Sequence, residues 1–376
     1  MATEAAGRLF RSADLLVRKV GGHSPACCVV TFDSFTDDRT LDRPGFGEQF
    51  LRTREIDAIH VISRDNDWYQ YPEIPEAMAC VHVATRGYAR VVAYGSSMGA
   101  YAAIRFAGLA GAHCALALSP QFSIDPAAAP FEFRWPEASA RFKPLWEGQL
   151  GFPALDQAYV AYDPLDLDMY HVALLAREFR FSHVALPNAG HPVTGYLMEV
   201  GLLQAATVAV CQGEFNPAAF AQEAQGRRNQ SPQYFATLAG RSRLRSRRIA
   251  LLREAVRIGP RNAGCKSLLA GQLGDAGRFE EALAMHREAL AIEPGHPNLL
   301  LHHSYTAEAS GDLPGALAIM EEVAARTGGA SPYMARLLEL RRDAGGAAPT
   351  GALAPARARL RRLAARFRLD KRRLTL

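Results

Sequence analysis

AYGSSMGAY, Ala93 to Tyr101, sets a serine between two glycines, with a β-leaning run before it and an alanine-rich stretch after it. Arg90-Val91-Val92-Ala93-Tyr94 reads as a short apolar strand, and Ala100 to Ala107 is free of proline and rich in helix formers. The pattern predicts a sharp strand-to-helix turn with Ser97 at its apex. A residue at such an apex takes a strained backbone conformation, and its neighbours must be small because adjacent elements crowd the turn. Gly95 and Gly99 meet that need. Glycines also flank serines at ordinary helix starts, so a nucleophilic serine requires a strand before it, a helix after it, and an acid and a histidine downstream.

Around this turn, residues up to about 215 alternate strand-like and helix-like segments. Ala26–Phe32, Ala58–Ser63, Arg90–Tyr94, His113–Leu118, Ala158–Tyr162 and His183–Leu186 are short apolar runs with helical patterns between several of them. This alternation predicts an α/β fold, a mostly parallel sheet with helices on both faces. Chemistry in such sheets gathers at the carboxyl ends of the strands. That rule singles out Asp33 and Ser34, Arg64 to Trp68, Ser97, Asp163 and His191.

The fifth run ends in Tyr162-Asp163-Pro164-Leu165-Asp166-Leu167-Asp168, and the sixth leads into Pro187-Asn188-Ala189-Gly190-His191-Pro192. The order along the chain is serine, aspartate, histidine. With YGSSMG as the turn and NAGHP as the histidine loop, residues 26–212 resemble the α/β-hydrolase fold of serine hydrolases. The resemblance implies that Ser97 is the nucleophile and His191 its base, since a serine hydroxyl needs an imidazole to take its proton. An aspartate would orient His191. Asp163 lies at the strand end, and Asp166 holds the last place of the Gly-x-x-Asp pattern many relatives carry in this loop, although Asp163 replaces its glycine. Either is the expected acid, and Asp168 reads as a cap of the helix beginning at Met169.

The same resemblance implies oxyanion donors at the N–H of Met98 and, from the loop after the first run, at Ser34 or Phe35. The loop Arg64-Asp65-Asn66-Asp67-Trp68-Tyr69 combines a cation, an amide and two aromatics. Arg64, Trp68 and Tyr69 are therefore expected to bind a polar, small-molecule or glycan-linked ester, or else to cover the edge of the core. Residues 120–153, with Trp135 and Trp146, are expected to form a lid. His60, His82, His113 and His183 sit in or beside apolar runs and read as packing residues, with His171 on a helix. No histidine pair has metal-ligand spacing, and the six cysteines show no Cys-x-x-Cys, so no metal or cofactor is expected.

A second pattern begins after Asn216. Arg253-Glu254-Ala255-Val256-Arg257-Ile258-Gly259-Pro260 recurs as Arg287-Glu288-Ala289-Leu290-Ala291-Ile292-Glu293-Pro294, an offset of 34 residues. Gly277 and Ala282-Leu283-Ala284 recur at Gly311 and Ala316-Leu317-Ala318 with the same offset. This region, from about 234 to 330, resembles tetratricopeptide repeats, whose stacked helix pairs imply a protein partner. Residues 357–376 carry nine Arg or Lys, with Leu360, Leu363 and Phe367 at helical spacing. Such a basic amphipathic helix suits an anionic membrane surface or an acidic partner, while nothing in the sequence points to nucleic acid.

The chain of 376 residues, 49% hydrophobic and 22% charged, is long enough for two cores. Its most apolar stretch, Val200–Cys211, is too short to span a membrane and is broken by Gln204, and the N-terminus lacks the pattern of an export signal. A cytoplasmic protein is expected, with the basic tail able to hold it at the inner membrane face. The expected organisation is a catalytic domain over 1–215, a linker over 216–233, repeats over 234–344, and a linker with basic tail over 345–376. The expected activity is that of an esterase or deacylase working through a Ser-His-Asp acyl-enzyme. An acyltransferase with the same triad, or an adaptor with a degenerate hydrolase domain, are the alternatives.

Overall fold

The computed structural model describes residues 7–328 and 331–345. They form two compact units that divide between Arg228 and Asn229. The first holds one eight-stranded sheet, built from β1 (Gly7–Arg11), β2 (Leu15–Val20), β3 (Cys27–Phe32), β4 (Asp57–Ser63), β5 (Arg90–Ser96), β6 (Cys114–Leu118), β7 (Gln157–Tyr162) and β8 (Ser182–Ala185). The strand order is β1-β2-β4-β3-β5-β6-β7-β8; β3 to β8 run parallel, and β2 pairs antiparallel with both β1 and β4.

The six apolar runs become β3 to β8. The sequence reading missed β1 and β2, whose short runs are interrupted by Arg8, Arg11, Arg18 and Lys19. They survive as strands because one face of β2 packs Leu15 and Val17 into the main core while β1 occupies the sheet edge.

Among the described residues, eight α-helices accompany the sheet: α1 (Glu48–Thr53), α2 (Ile74–Thr85), α3 (Met98–Arg105), α4 (Pro136–Arg141), α5 (Asp168–Glu178), α6 (Val193–Glu199), α7 (Leu203–Gln212) and α8 (Pro217–Arg227). Among the described residues no single helix is long and apolar enough to cross a membrane. The central strand β5 runs directly into α3 through Ser97, which sits at φ 52° and ψ −116°. A β-carbon on Gly95 would collide with the backbone of Gly99, and one on Gly99 with the carbonyl of Phe32 at the end of β3. Both glycines are therefore required by backbone-to-backbone approach, as the sequence pattern anticipates.

The stretch 216–233, expected as a linker, instead belongs largely to the first unit. Asn216 caps α8 by accepting from Ala219 N–H. The Tyr196 hydroxyl donates to the Ala224 carbonyl at 2.6 Å, and Phe215 packs edge-on against Tyr159 and tilted against Phe220. The first unit ends at Arg228, beyond the 215 expected from the sequence, because this packing closes the β7–β8 side of the sheet.

The described residues of the second unit form helices: α9 (Pro232–Arg241), α10 (Arg245–Ile258), α11 (Ala263–Gly274), α12 (Phe279–Ile292), α13 (Pro297–Ala309), α14 (Leu313–Arg326) and α15 (Ser331–Gly345). The α13–α14 pair repeats α11–α12 with the 34-residue offset read from the sequence. Gly277 and Gly311 turn each pair at positive φ, and Ala282 and Ala316 are fully buried where the helices meet. The basic tail over 357–376 lies outside the described residues.

Two stability outcomes follow from this packing. Gly99→Ala should lose about 3 kcal/mol in urea unfolding, since its methyl meets backbone that cannot yield, whereas Gly148→Ala, which faces open space, should be near neutral. A chain ending at Arg228 should melt as one cooperative unit, and one ending at residue 215 should melt about 5 °C lower or more, having lost the α8 contacts.

Candidate active site

The turn at Ser97 brings three parts of the chain together. Ser97 Oγ lies 2.9 Å from His191 Nε2, and His191 Nδ1 lies 2.9 Å from both carboxylate oxygens of Asp168. All three are buried, with Ser97 4% and His191 7% exposed. A carboxylate on Nδ1 holds the imidazole in the tautomer that leaves Nε2 free to accept the serine proton.

The expectation that Asp163 or Asp166 orients His191 is corrected here. Asp163 turns its carboxylate to backbone N–H groups, at 2.9 Å from Leu165, 3.2 Å from Asn188 and 2.8 Å from Gly190. It thus shapes the loop that carries His191, in which Asn188 and Gly190 both take positive φ. Asp166 accepts from the N–H of Leu167 at 2.6 Å. Asp168, read from the sequence as a cap, makes no capping bond; it opens α5 with its side chain directed at His191 and has no exposure. Burial pushes the Asp168 carboxyl up, but the adjacent His191 and Arg134 outweigh it and hold the group well below the usual carboxylate range.

Gln121, which the sequence reading passed over, completes the surroundings of the serine. The indole N–H of Trp68 donates to Gln121 Oε1 at 3.2 Å. An indole is only a donor, so the other end of the amide must be its N–H₂, and Nε2 donates to Ser97 Oγ at 3.2 Å. The signal was available: Gln121 follows β6 at the same carboxyl edge of the sheet as the other candidates.

The remaining expected site residues divide. Met98 heads α3 directly after Ser97, where a first-turn N–H has no acceptor within the helix. Ser34 Oγ donates to the Ser96 carbonyl at 2.9 Å, so its hydroxyl is engaged with the strand end. Phe35 is 40% exposed and stacks on Trp135, whose ring centre is 6.1 Å from that of His191. Trp135 belongs to the segment expected to form a lid. Trp68 is buried against Trp135 and connects to the serine through Gln121.

Arg64 and Tyr69 do not join the site. Arg64 is held at the surface by Asp14 and Asp65, and Tyr69 is a core residue donating to the carbonyls of Asp33 and Val61. Tyr69 follows the other expectation for that loop, an aromatic covering the core. His60 packs as expected, bonded to Thr31 at 2.6 Å.

Sequence comparison agrees with this architecture. Residues 6–231 match the Alpha/beta hydrolase family. The chain belongs to that family. Residues 275–340 match the Tetratricopeptide repeat, which covers α12 to α14 and most of α15, while α9 and α10 precede it. No curated protein matches the sequence. Among solved structures, two crystal structures of an esterase from Pyrococcus furiosus are similar at 13% identity, covering 56% and 57% of this hydrolase chain and 90% and 94% of the esterase, with TM-scores of 0.37 and 0.34.

Beneath the site lies Glu132, which accepts from His171 and Arg134. Burial raises its carboxyl, but those two donors overcome the effect and bring it down to about 2 from an ordinary 4.5. A carboxyl with a depressed value in the folded state contributes stability above pH 4.5 and loses it as pH falls toward 2. The urea midpoint of the wild type should therefore fall between pH 5 and pH 2 more steeply than that of Glu132→Gln.

Proposed function

We propose that this α/β hydrolase is a serine esterase or deacylase in which Ser97 attacks an ester carbonyl. The observation that carries the reading is the continuous hydrogen-bonded line from Ser97 Oγ through His191 to Asp168, with all three links at 2.9 Å. His191 takes the serine proton as the hydroxyl oxygen bonds to the carbonyl carbon, and Asp168 stabilises the imidazolium. The Met98 N–H and the Gln121 side-chain amide, beside the serine, supply donors for the developing oxyanion. The tetrahedral intermediate expels the alcohol, which takes the proton from His191. Water, activated by the same histidine, then frees the acid.

Phe35 and Trp135 offer an aromatic wall beside His191, which suits an ester whose acyl or ring portion is apolar. With Arg64 and Tyr69 engaged elsewhere, support for a glycan-linked substrate rests on composition alone. The burial of Ser97 and His191 also favours a second reading, acyl transfer to an alcohol in place of water. For the repeat unit we infer a protein partner, from the stacked helix pairs of α11 to α14.

A fluorophosphonate probe should add covalently to the wild type and not to Ser97→Ala. Asp168→Asn should slow labelling by about 10³-fold or more with the fold intact. Asp163→Asn should lower stability by about 1–3 kcal/mol through its backbone acceptors and leave more of the reactivity in the folded fraction. Labelling that persists in Ser97→Ala would end the proposal.

A further inference from the structure

The segment between β6 and β7 sends a cation to the acid of the site. Arg134 Nη1 donates to Asp168 Oδ1 at 2.8 Å. The other side of the same guanidinium is gripped by Glu132: Nε lies 3.0 Å from each carboxylate oxygen, and Nη2 donates to Oε2 at 2.6 Å. Glu132 in turn accepts from His171 Nε2 at 2.9 Å. His171 Nδ1 accepts the backbone N–H of Phe122 at 3.1 Å, so in the neutral ring the proton is on Nε2, facing Glu132. Burial keeps His171 below the ordinary histidine range, in line with that neutral form. The side chains of this line are essentially closed to water, with Arg134 4% exposed and Glu132, Asp168 and His171 at 0%.

Resting on the triad reading above, we propose that Arg134 is a positioning residue that extends the triad into a longer hydrogen-bonded relay of fixed charges, with no proton passing beyond His191, running Ser97, His191, Asp168, Arg134, Glu132. Two physical effects follow. The first is orientation: a guanidinium fixed by its fork to Glu132 pins the Asp168 carboxylate so that both oxygens face Nδ1 of His191. The second is electrostatic. Arg134 and His191 share one carboxylate, so removing the cation leaves the charge of Asp168 to the imidazole alone, while Glu132, one step further away, offsets the cation in part. The other groups facing His191 are the hydroxyl of Ser97 and the ring of Trp135. Asp163 sits behind its loop, on the Gly190 N–H. Because Glu132 and Arg134 belong to the segment that also carries Trp135, the relay ties that segment to the base of the site.

The fluorophosphonate reaction, followed against pH, tests this. Removing the cation in Arg134→Gln should move the acidic limb of the profile upward by about one pH unit, so that labelling on that limb falls about ten-fold below wild type. Arg134→Lys keeps a charge on Asp168 and should hold the limb within about 0.3 unit of wild type. Arg134→Gln leaves two buried carboxylates without their shared partner, so the double variant Glu132→Gln, Arg134→Met, which removes both charges, guards against misfolding; its limb should move upward by less than that of the single variant. Circular dichroism checks the fold of each. Limbs that coincide in all variants, or a lysine variant that moves as far as the glutamine variant, would overturn the relay. A wild type that does not react would sink the hydrolase reading instead. The His191 imidazole titration by NMR, assigned with His191→Ala, then still decides the role of Arg134: an upward move in the charge-removing variants supports it, and an unmoved ring rejects it.

Discussion

The structure turns on how closely the start of α3 lies against the end of β3. Gly99 has no room for a β-carbon beside the carbonyls of Phe32 and Asp33, and Gly95 has none beside Gly99. That approach forces the chain through φ 52° at Ser97, a conformation no side chain favours, and its hydroxyl meets His191. The core pays for the strain: α3 is buried along its whole length, with Tyr101 and Ile104 packed in the main cluster. The position of Ser97 is thus set by packing on both sides of it.

Around that fixed point the carboxylates divide their tasks. Asp163 spends its hydrogen bonds on backbone amides and so determines where the histidine loop runs. Asp168 spends its own on the imidazole and on Arg134. The separation has a physical basis. A carboxylate at a strand end can reach the next loop's amides, whereas one at the head of a helix, two turns of chain later, is aimed back across the sheet edge at His191. Burial of Asp168 without exposure is tolerated only because two hydrogen-bonding partners favour its charged form.

The repeat unit is stabilised differently. Its buried residues are dispersed in small clusters between neighbouring helices, such as Leu252, Leu269 and Ala282 in one and Leu300, Ala316 and Leu340 in another. Each helix pair depends on its neighbour, which is the arrangement expected of a stacked array.

The sequence by itself determined what local pattern encodes. Apolar runs of strand length announced β3 to β8, flanking glycines announced the turn at Ser97, the family pattern announced that Ser97 and His191 would meet, and a 34-residue offset announced the helix pairs. These features depend on neighbours a few residues away, or on simple repetition. Tertiary structure alone decided which of three aspartates within six residues faces His191, because that depends on where α5 begins and which way its first side chain points. It also decided the contacts of Gln121, Glu132 and Arg134 in the β6–β7 segment and of His171 on α5, which come together with Ser97 and Asp168 only when β6, β7 and α5 are packed. An alternation of charge hid β1 and β2, and a capped helix hid the true end of the hydrolase unit at Arg228, since both owe their order to contacts with distant residues.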